Sequence, residues 1–161
     1  MNFLPVCVGI FEENMNIRKI TDRNNILIKE LYAVWEASVR ASHSFLTEED
    51  IGKIAGYVPA ALREIEILIT AENDKGENIG FAGIDGHKLE MLFLHPSYFK
   101  QGIGRRLLAI AIKEYHVTEV DVNEQNPAAK GFYERAGFEV YARDAFDGQG
   151  NPFPILHLRL K

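Results

Sequence analysis

The sequence predicts an α/β domain, and three observations predict it. Apolar residues recur at helical spacing in the first third of the chain and then pass into short runs of strand type. Three of those runs are separated by tight turn clusters, the mark of an antiparallel meander. Further on, a run of strand type leads through a glycine-containing loop into a new amphipathic helix.

Met15-Asn16-Ile17-Arg18-Lys19-Ile20 reads as the start of the domain, with a first strand at Ile17–Ile20. Leu27, Leu31, Val34 and Trp35 then form one apolar stripe, which requires a helix. Ser42-His43-Ser44-Phe45-Leu46 interrupts it. Thr47 with Asp50 three residues on is a capping-box start for a second helix, carried by Ile51, Ile54, Val58, Leu62 and Ile65. Pro59 is expected to kink or divide that helix, because proline cannot donate its amide and clashes with the preceding turn. Ile67–Ala71, Ile79–Ile84 and Leu89–Leu94 are the three meander strands, with turns at Asn73–Gly76 and Asp85-Gly86. Gly102-Ile103-Gly104 opens the next helix, with Leu107, Leu108, Ala111 and Ile112 inward. Val117–Val122 is a strand. Asn126-Pro127 begins the last helix with a capping side chain and a proline suited to the first helical position. Gly137 fits the left-handed position that ends it. Phe138–Ala142 follows, then a turn at Asp147–Gly150. Leu156, Leu158 and Leu160 alternate with polar residues in a half-buried final strand.

A chain of 161 residues is one domain of ordinary size, and residues 15–161 are expected to form it, with 1–14 as an N-terminal extension. That preface reads as dispensable, or as an added strand or oligomer contact. Its apolar stretch contains Pro5 and Gly9 and lacks a basic flank, so neither a signal peptide nor a membrane anchor is expected. The net charge of −5 makes diffuse nucleic-acid binding a poor fit. One cysteine, Cys7, leaves no disulfide framework and no cysteine-based zinc site, and no metal is expected. A cytoplasmic location is the expectation, as a monomer or homodimer.

The chemistry concentrates in two segments. In Leu92–Leu108 a strand enters a glycine loop and then a helix. The first-turn amides of such a helix lack internal partners and lie at the positive end of its dipole, so they suit a pyrophosphate. Lys100, Arg105 and Arg106 gather there, where a cation opposes the dipole by about 0.3–1 kcal/mol unless an anion is bound. A plain strand-to-helix turn is the alternative. Neither a P-loop ending nor the complete dinucleotide pattern is present. The second segment is Asn123-Glu124-Gln125-Asn126-Pro127-Ala128-Ala129-Lys130-Gly131-Phe132-Tyr133-Glu134-Arg135-Ala136-Gly137-Phe138.

Together the segments resemble the GNAT superfamily of N-acetyltransferases, which move an acyl group from coenzyme A to an amine. Pro96 followed by Gly-Ile-Gly-Arg-Arg-Leu-Leu is similar to its coenzyme A motif, and Asn-x-x-Ala with Gly-Phe-Tyr-Glu-Arg-Ala-Gly-Phe to its second signature. The resemblance covers about residues 15–161. It implies a GNAT fold: a central mixed, mostly antiparallel sheet splayed between two strands and flanked by about four helices. One departure stands out. The family usually has Arg or Gln, then often Gly, where this chain has Phe99 and Lys100.

The resemblance implies acetyl-CoA as co-substrate and an amine acceptor that attacks directly in a ternary complex. The backbone from Gln101 through Gly102, Ile103 and Gly104 to Arg105 and Arg106 would cradle the pyrophosphate, with Lys100 adding charge. Pantetheine would pair with backbone of Phe93 and Leu94; Asn126 would touch it as well as cap its helix, with the cap alone as the alternative, and Asn123 would lie close to the acetyl group. A backbone amide of the Phe93–Leu94 segment would serve as oxyanion donor. Tyr133 would be the acid that protonates the departing sulfur; the alternative is a core aromatic. Glu90 and His43 are alternative bases, each with an ordinary surface role as its rival, and water relay would make neither essential. His43, Phe45 and Glu90 would shape the acceptor site. A non-catalytic coenzyme A sensor on the same fold is the competing reading.

Overall fold

A computed structural model describes residues 15–161; the expected extension, with Cys7, lies outside the described residues. The chain runs β1 (Asn16–Lys19), α1 (Asn25–Ser42), α2 (Glu48–Ala55), α3 (Val58–Glu64), β2 (Ile67–Glu72), β3 (Asn78–Asp85), β4 (Lys88–Leu94), a 3-10 turn (Pro96–Tyr98), α4 (Ile103–Tyr115), β5 (Glu119–Asn123), α5 (Pro127–Arg135), β6 (Phe138–Asp144) and β7 (Ile155–Leu160). Every element expected from the sequence is present. The helix carrying Pro59 is divided, with the proline in the first turn of α3, so the described residues carry five α-helices where about four were expected.

Local chemistry sets the helix ends. Asn24 caps α1 by accepting the Leu27 amide at 2.9 Å. At α2 the capping box is complete: Thr47 Oγ1 accepts the Asp50 amide at 3.1 Å, and Asp50 accepts the Thr47 amide at 2.9 Å. The Arg23 guanidinium donates to the carbonyls of Leu62, Arg63, Ile65 and Glu66, satisfying the orphan acceptors where α3 ends. Gly137 follows α5 at φ 104°, the left-handed stop.

The seven strands form one sheet in the order β1-β2-β3-β4-β5-β7-β6. Neighbours are antiparallel except β4 and β5, which are parallel. Alternation along each strand feeds two cores. On one face α4 and α5 cover Ile69, Ala82, Val120 and Leu158; on the other, α1 to α3 cover Leu68 and Phe81.

The sheet opens at one place. β4 and β5 pair only at Lys88↔Glu119 and Leu89↔Val120. Immediately beyond, Leu89 opposes Ile84 while Met91 opposes Gly83, so Glu90 is an extra residue in a β-bulge. A bulge bends its strand, and from here β4 has no partner on its β5 side among the described residues. The bulge also changes the parity of β4. Simple alternation puts Glu90 on the face of Leu92 and Leu94. The bulge instead returns Leu89 to the face of Leu92 and Leu94, with Met91 and Phe93 on the other, so Glu90 is not part of that series.

Candidate active site

Beyond the bulge, β4, α4 and α5 line a cleft of about 740 Å³. It extends from the amino end of α4, past Phe93 and Leu94 of β4 and Tyr133 of α5, to Ser38, Ser42 and His43 at the carboxyl end of α1. Three layers of the fold therefore meet on one cavity.

At the α4 end, the loop turns through two left-handed residues. Lys100 has φ 63° and Gly102 has φ 86°. Glycine adopts that conformation freely, whereas lysine is uncommon in it. These turns present Gln101 to Arg105 to the cleft, with Gly102 as the residue before the first helical turn. The Gly102 carbonyl already accepts the Arg106 amide at 3.0 Å, so the amides preceding it are the orphan ones. Among the described residues, Lys100, Arg105 and Arg106 form no salt bridge within 4.0 Å. Added space at Gly102 is open, and a Cβ on Gly104 would meet only Phe132 at 3.7 Å. An amide-lined, cationic concavity of this kind suits a pyrophosphate. Phe99 also lines the cleft, offering an apolar surface in place of a donor.

Tyr133 is 8% exposed and lines the middle of the cleft. Its ring packs edge-on against Phe132 and Phe138 at 5.0 and 5.9 Å. Burial pushes its phenol above the ordinary value, so it is protonated throughout the physiological range. Asn126 is buried and caps α5 through Oδ1, which accepts the Ala129 amide at 3.2 Å.

His43 ends α1, its ring tilted against Phe45 with centroids 5.5 Å apart. Phe45 in turn meets Phe153, from the segment between β6 and β7, edge-on at 5.8 Å. Burial lowers the His43 pKa, so its imidazole is neutral at pH 7.

Of the residues expected from sequence, the structure gathers His43, Phe93, Leu94, Lys100, Gln101, Gly102, Ile103, Gly104, Arg105, Asn126 and Tyr133 on this cleft. Glu90, Phe45, Arg106 and Asn123 do not line it. Glu90 lies in the bulge, 3.9 Å from Lys88, whose ammonium is held at 2.6 Å by Asp121. Burial raises the Glu90 pKa, with Lys88 acting against it. Asn123 instead uses its carbonyl to accept the Asn126 amide at 2.9 Å, which turns the chain into α5.

Sequence reasoning missed Ser38, Ser42, Phe132 and Arg135, all on the cleft. A signal existed for the serines. They continue the Val34 stripe of α1 in steps of four, so small polar residues sit where the helix turns inward. Nothing in the local pattern of Arg135 separates it from a solvated last-turn cation.

Residues 64–140 match a family described as an acetyltransferase (GNAT) domain. The peptidyl-lysine N-acetyltransferase YjaB of Escherichia coli is 35% identical over 130 residues, spanning 81% of this chain and 88% of that protein. The L-methionine sulfoximine/L-methionine sulfone acetyltransferase of Salmonella typhimurium is 24% identical over 138 residues, 83% of this chain and 80% of its own. The solution structure of apo YjaB superposes with a TM-score of 0.81 at 34% identity, covering 90% of this chain and 96% of its own. The PaiA N-acetyltransferase of Thermoplasma acidophilum, solved in complex with coenzyme A, shares the fold with a TM-score of 0.62 at 24% identity, covering 90% and 98%.

Proposed function

Since the chain belongs to the GNAT family of N-acetyltransferases, we propose that it transfers an acetyl group from acetyl-CoA to a primary amine, with a protein lysine side chain as the acceptor class. The observation that carries this reading is the continuity of the cleft. It joins a cationic helix start at α4, an edge of β4 that is unpaired among the described residues, a buried phenol and a neutral imidazole in one cavity. The lysine acceptor is supported by the likeness to the peptidyl-lysine enzyme YjaB.

Acetyl-CoA supplies the activated thioester carbonyl. The backbone of Gln101 to Arg105 holds the diphosphate, and Lys100 and Arg105 neutralise it. The free edge of β4 at Phe93 and Leu94 bonds the extended arm as an added strand would. A backbone amide there stabilises charge on the carbonyl oxygen. Alignment of amine and thioester in one cavity contributes much of the rate. Tyr133 delivers its proton to the departing sulfur. His43 is the proposed base: it faces the cleft and is neutral at pH 7, whereas Glu90 does not line the cavity. Tyr133 also argues against a binding-only sensor, because packing alone is served equally by phenylalanine.

Two measurements test the reading. Titration calorimetry is expected to give micromolar binding of acetyl-CoA; no binding at millimolar cofactor would overturn it. A thiol-release assay across lysine peptides, free amino acids and polyamines is expected to favour the peptides. No release with any amine would leave a cofactor-binding module instead.

A further inference from the structure

The end of α1 carries a hydrogen-bond chain that the reaction as described does not use. Ser42 Oγ lies 2.7 Å from the Ser38 carbonyl oxygen and 2.8 Å from His43 Nδ1. A carbonyl has no proton to give, so the first contact requires the serine hydroxyl to donate to Ser38. That hydroxyl has only one proton. Toward His43 it can only accept, and Nδ1 must therefore carry the hydrogen. The opposite assignment would set two lone pairs against each other at hydrogen-bond distance.

We infer that Ser42 is a positioning residue that locks His43 in its Nδ1–H tautomer and leaves Nε2 as the lone pair available to the acceptor amine. The inference rests on the proposed role of His43 as base. A neutral imidazole has one donor and one acceptor nitrogen, and the bond made by one sets the state of the other. When Nε2 takes a proton from the ammonium, Nδ1 keeps its own and Ser42 remains its acceptor, so the chain needs no rearrangement. The free amine then attacks; as the intermediate collapses its nitrogen gives up a second proton, which restores the Tyr133 phenol after that group has protonated the sulfur, and the imidazolium returns its proton to solvent. Several features fix the geometry. Ser38 and Ser42 lie one turn apart on a continuous helix, Ser38 is buried, and His43 is the capping residue whose own amide donates to Val39 at 2.8 Å. Phe45 packs tilted against the ring, with centroids 5.5 Å apart. The back-bond from Ser42 to Ser38 is not needed for the helix, since such bonds slightly destabilise helices and alanine is the better helix former. A purely structural serine would gain nothing from this arrangement.

The test uses the whole chain with Ser42→Ala and Ser42→Thr. Long-range proton–nitrogen correlation spectra of the His43 ring at about pH 8, where an unperturbed imidazole is neutral, are expected to report the Nδ1–H form in the parent. Ser42→Ala is expected to shift the ring toward Nε2–H, and Ser42→Thr to restore it. Turnover in the thiol-release assay is expected to fall on the order of tenfold in Ser42→Ala, short of the roughly 10²–10⁴-fold of a whole general base. KM for acetyl-CoA and thermal stability are expected to hold, with recovery in Ser42→Thr. An Nε2–H ring in the parent, or a tautomer unmoved by Ser42→Ala, overturns the inference. So does unchanged turnover in Ser42→Ala when His43→Ala is impaired. Undiminished turnover in His43→Ala would instead overturn the base on which the inference rests, with the spectra then judging the tautomer by itself.

Discussion

At Lys100 a positive charge and a left-handed backbone coincide. A non-glycine residue at φ 63° stores about 1 kcal/mol of steric strain. The side chain lies on the cleft where an anion is proposed to bind. Lys100→Gly separates the two effects. Urea denaturation is expected to show a gain of up to about 1 kcal/mol, less the entropy glycine adds to the unfolded chain. Acetyl-CoA affinity is expected to weaken and to depend less on salt, as calorimetry at two ionic strengths would register. Unaltered affinity would mean that backbone amides suffice. Tyr133 makes the companion case. Tyr133→Phe keeps the ring packing against Phe132 and Phe138 and removes only the proton. Turnover is expected to drop by about 10²–10⁴-fold with acetyl-CoA binding nearly intact. Equal turnover in the two proteins would strip Tyr133 of the proposed role.

At the scale of elements, β3 and β4 decide where the sheet can open. Gly80 and Gly83 of β3 face the β4 residues on either side of the cleft wall. A Cβ on Gly80 would lie 2.8 Å from Leu94 Cδ1 and 3.2 Å from the Phe93 carbonyl oxygen. The leucine tip can move, but the carbonyl belongs to the strand that lines the cleft. Gly80→Ala is therefore expected to lose about 1–3 kcal/mol of stability, the usual consequence of overpacking, and to loosen acetyl-CoA binding as β4 shifts. A denaturation midpoint at or above that of the parent would show that β4 yields without strain. The same pair of strands marks where reading along the chain reached its limit. Element order, the Thr47 capping box, the division at Pro59 and the stop at Gly137 were all legible, because each depends on residues within a few positions of one another. The bulge at Glu90 was not. It is a relation between two strands, and Leu89-Glu90-Met91 contains no residue that demands it.

Over the whole molecule, two histidines push stability in opposite directions with pH. His157 is held at 2.7 Å by Asp144 and at 2.6 Å by Asp121, which raises its pKa. The folded state then binds more protons than the unfolded one above about pH 6.5, so this contribution is complete below that value and is lost as pH rises through the folded pKa. His43 is the reverse. Burial lowers its pKa, and the folded state resists protonation below about pH 6.5, so its contribution is complete above that value and is lost on acidification. Melting temperature between about pH 5.5 and 8.5 is expected to peak near the middle of the range. His157→Gln should remove the decline on the alkaline side while leaving the acid side in place. A decline that persists in that variant would assign it to other groups. No helix among the described residues is long and apolar enough to cross a membrane, which fits a sheet protein that buries its apolar stripes in two internal cores.

Sequence by itself determined the likeness to the family, the order of elements, the glycine-containing turn at Gly102 that opens α4, and the place of Tyr133 in α5. All of these are written in contiguous residues: periodicity, caps, glycine spacing and one signature of sixteen positions from Asn123 to Phe138. Tertiary structure decided which residues share the cavity. It brought the end of α1 to the opening between β4 and β5, admitting Ser38 and Ser42 beside His43 and leaving Glu90 in a bulge beside Lys88. The physical reason is that a cleft is formed by surfaces from distant parts of the chain. Its lining depends on strand register and helix placement, and both are set by packing across the sheet rather than by neighbours in sequence.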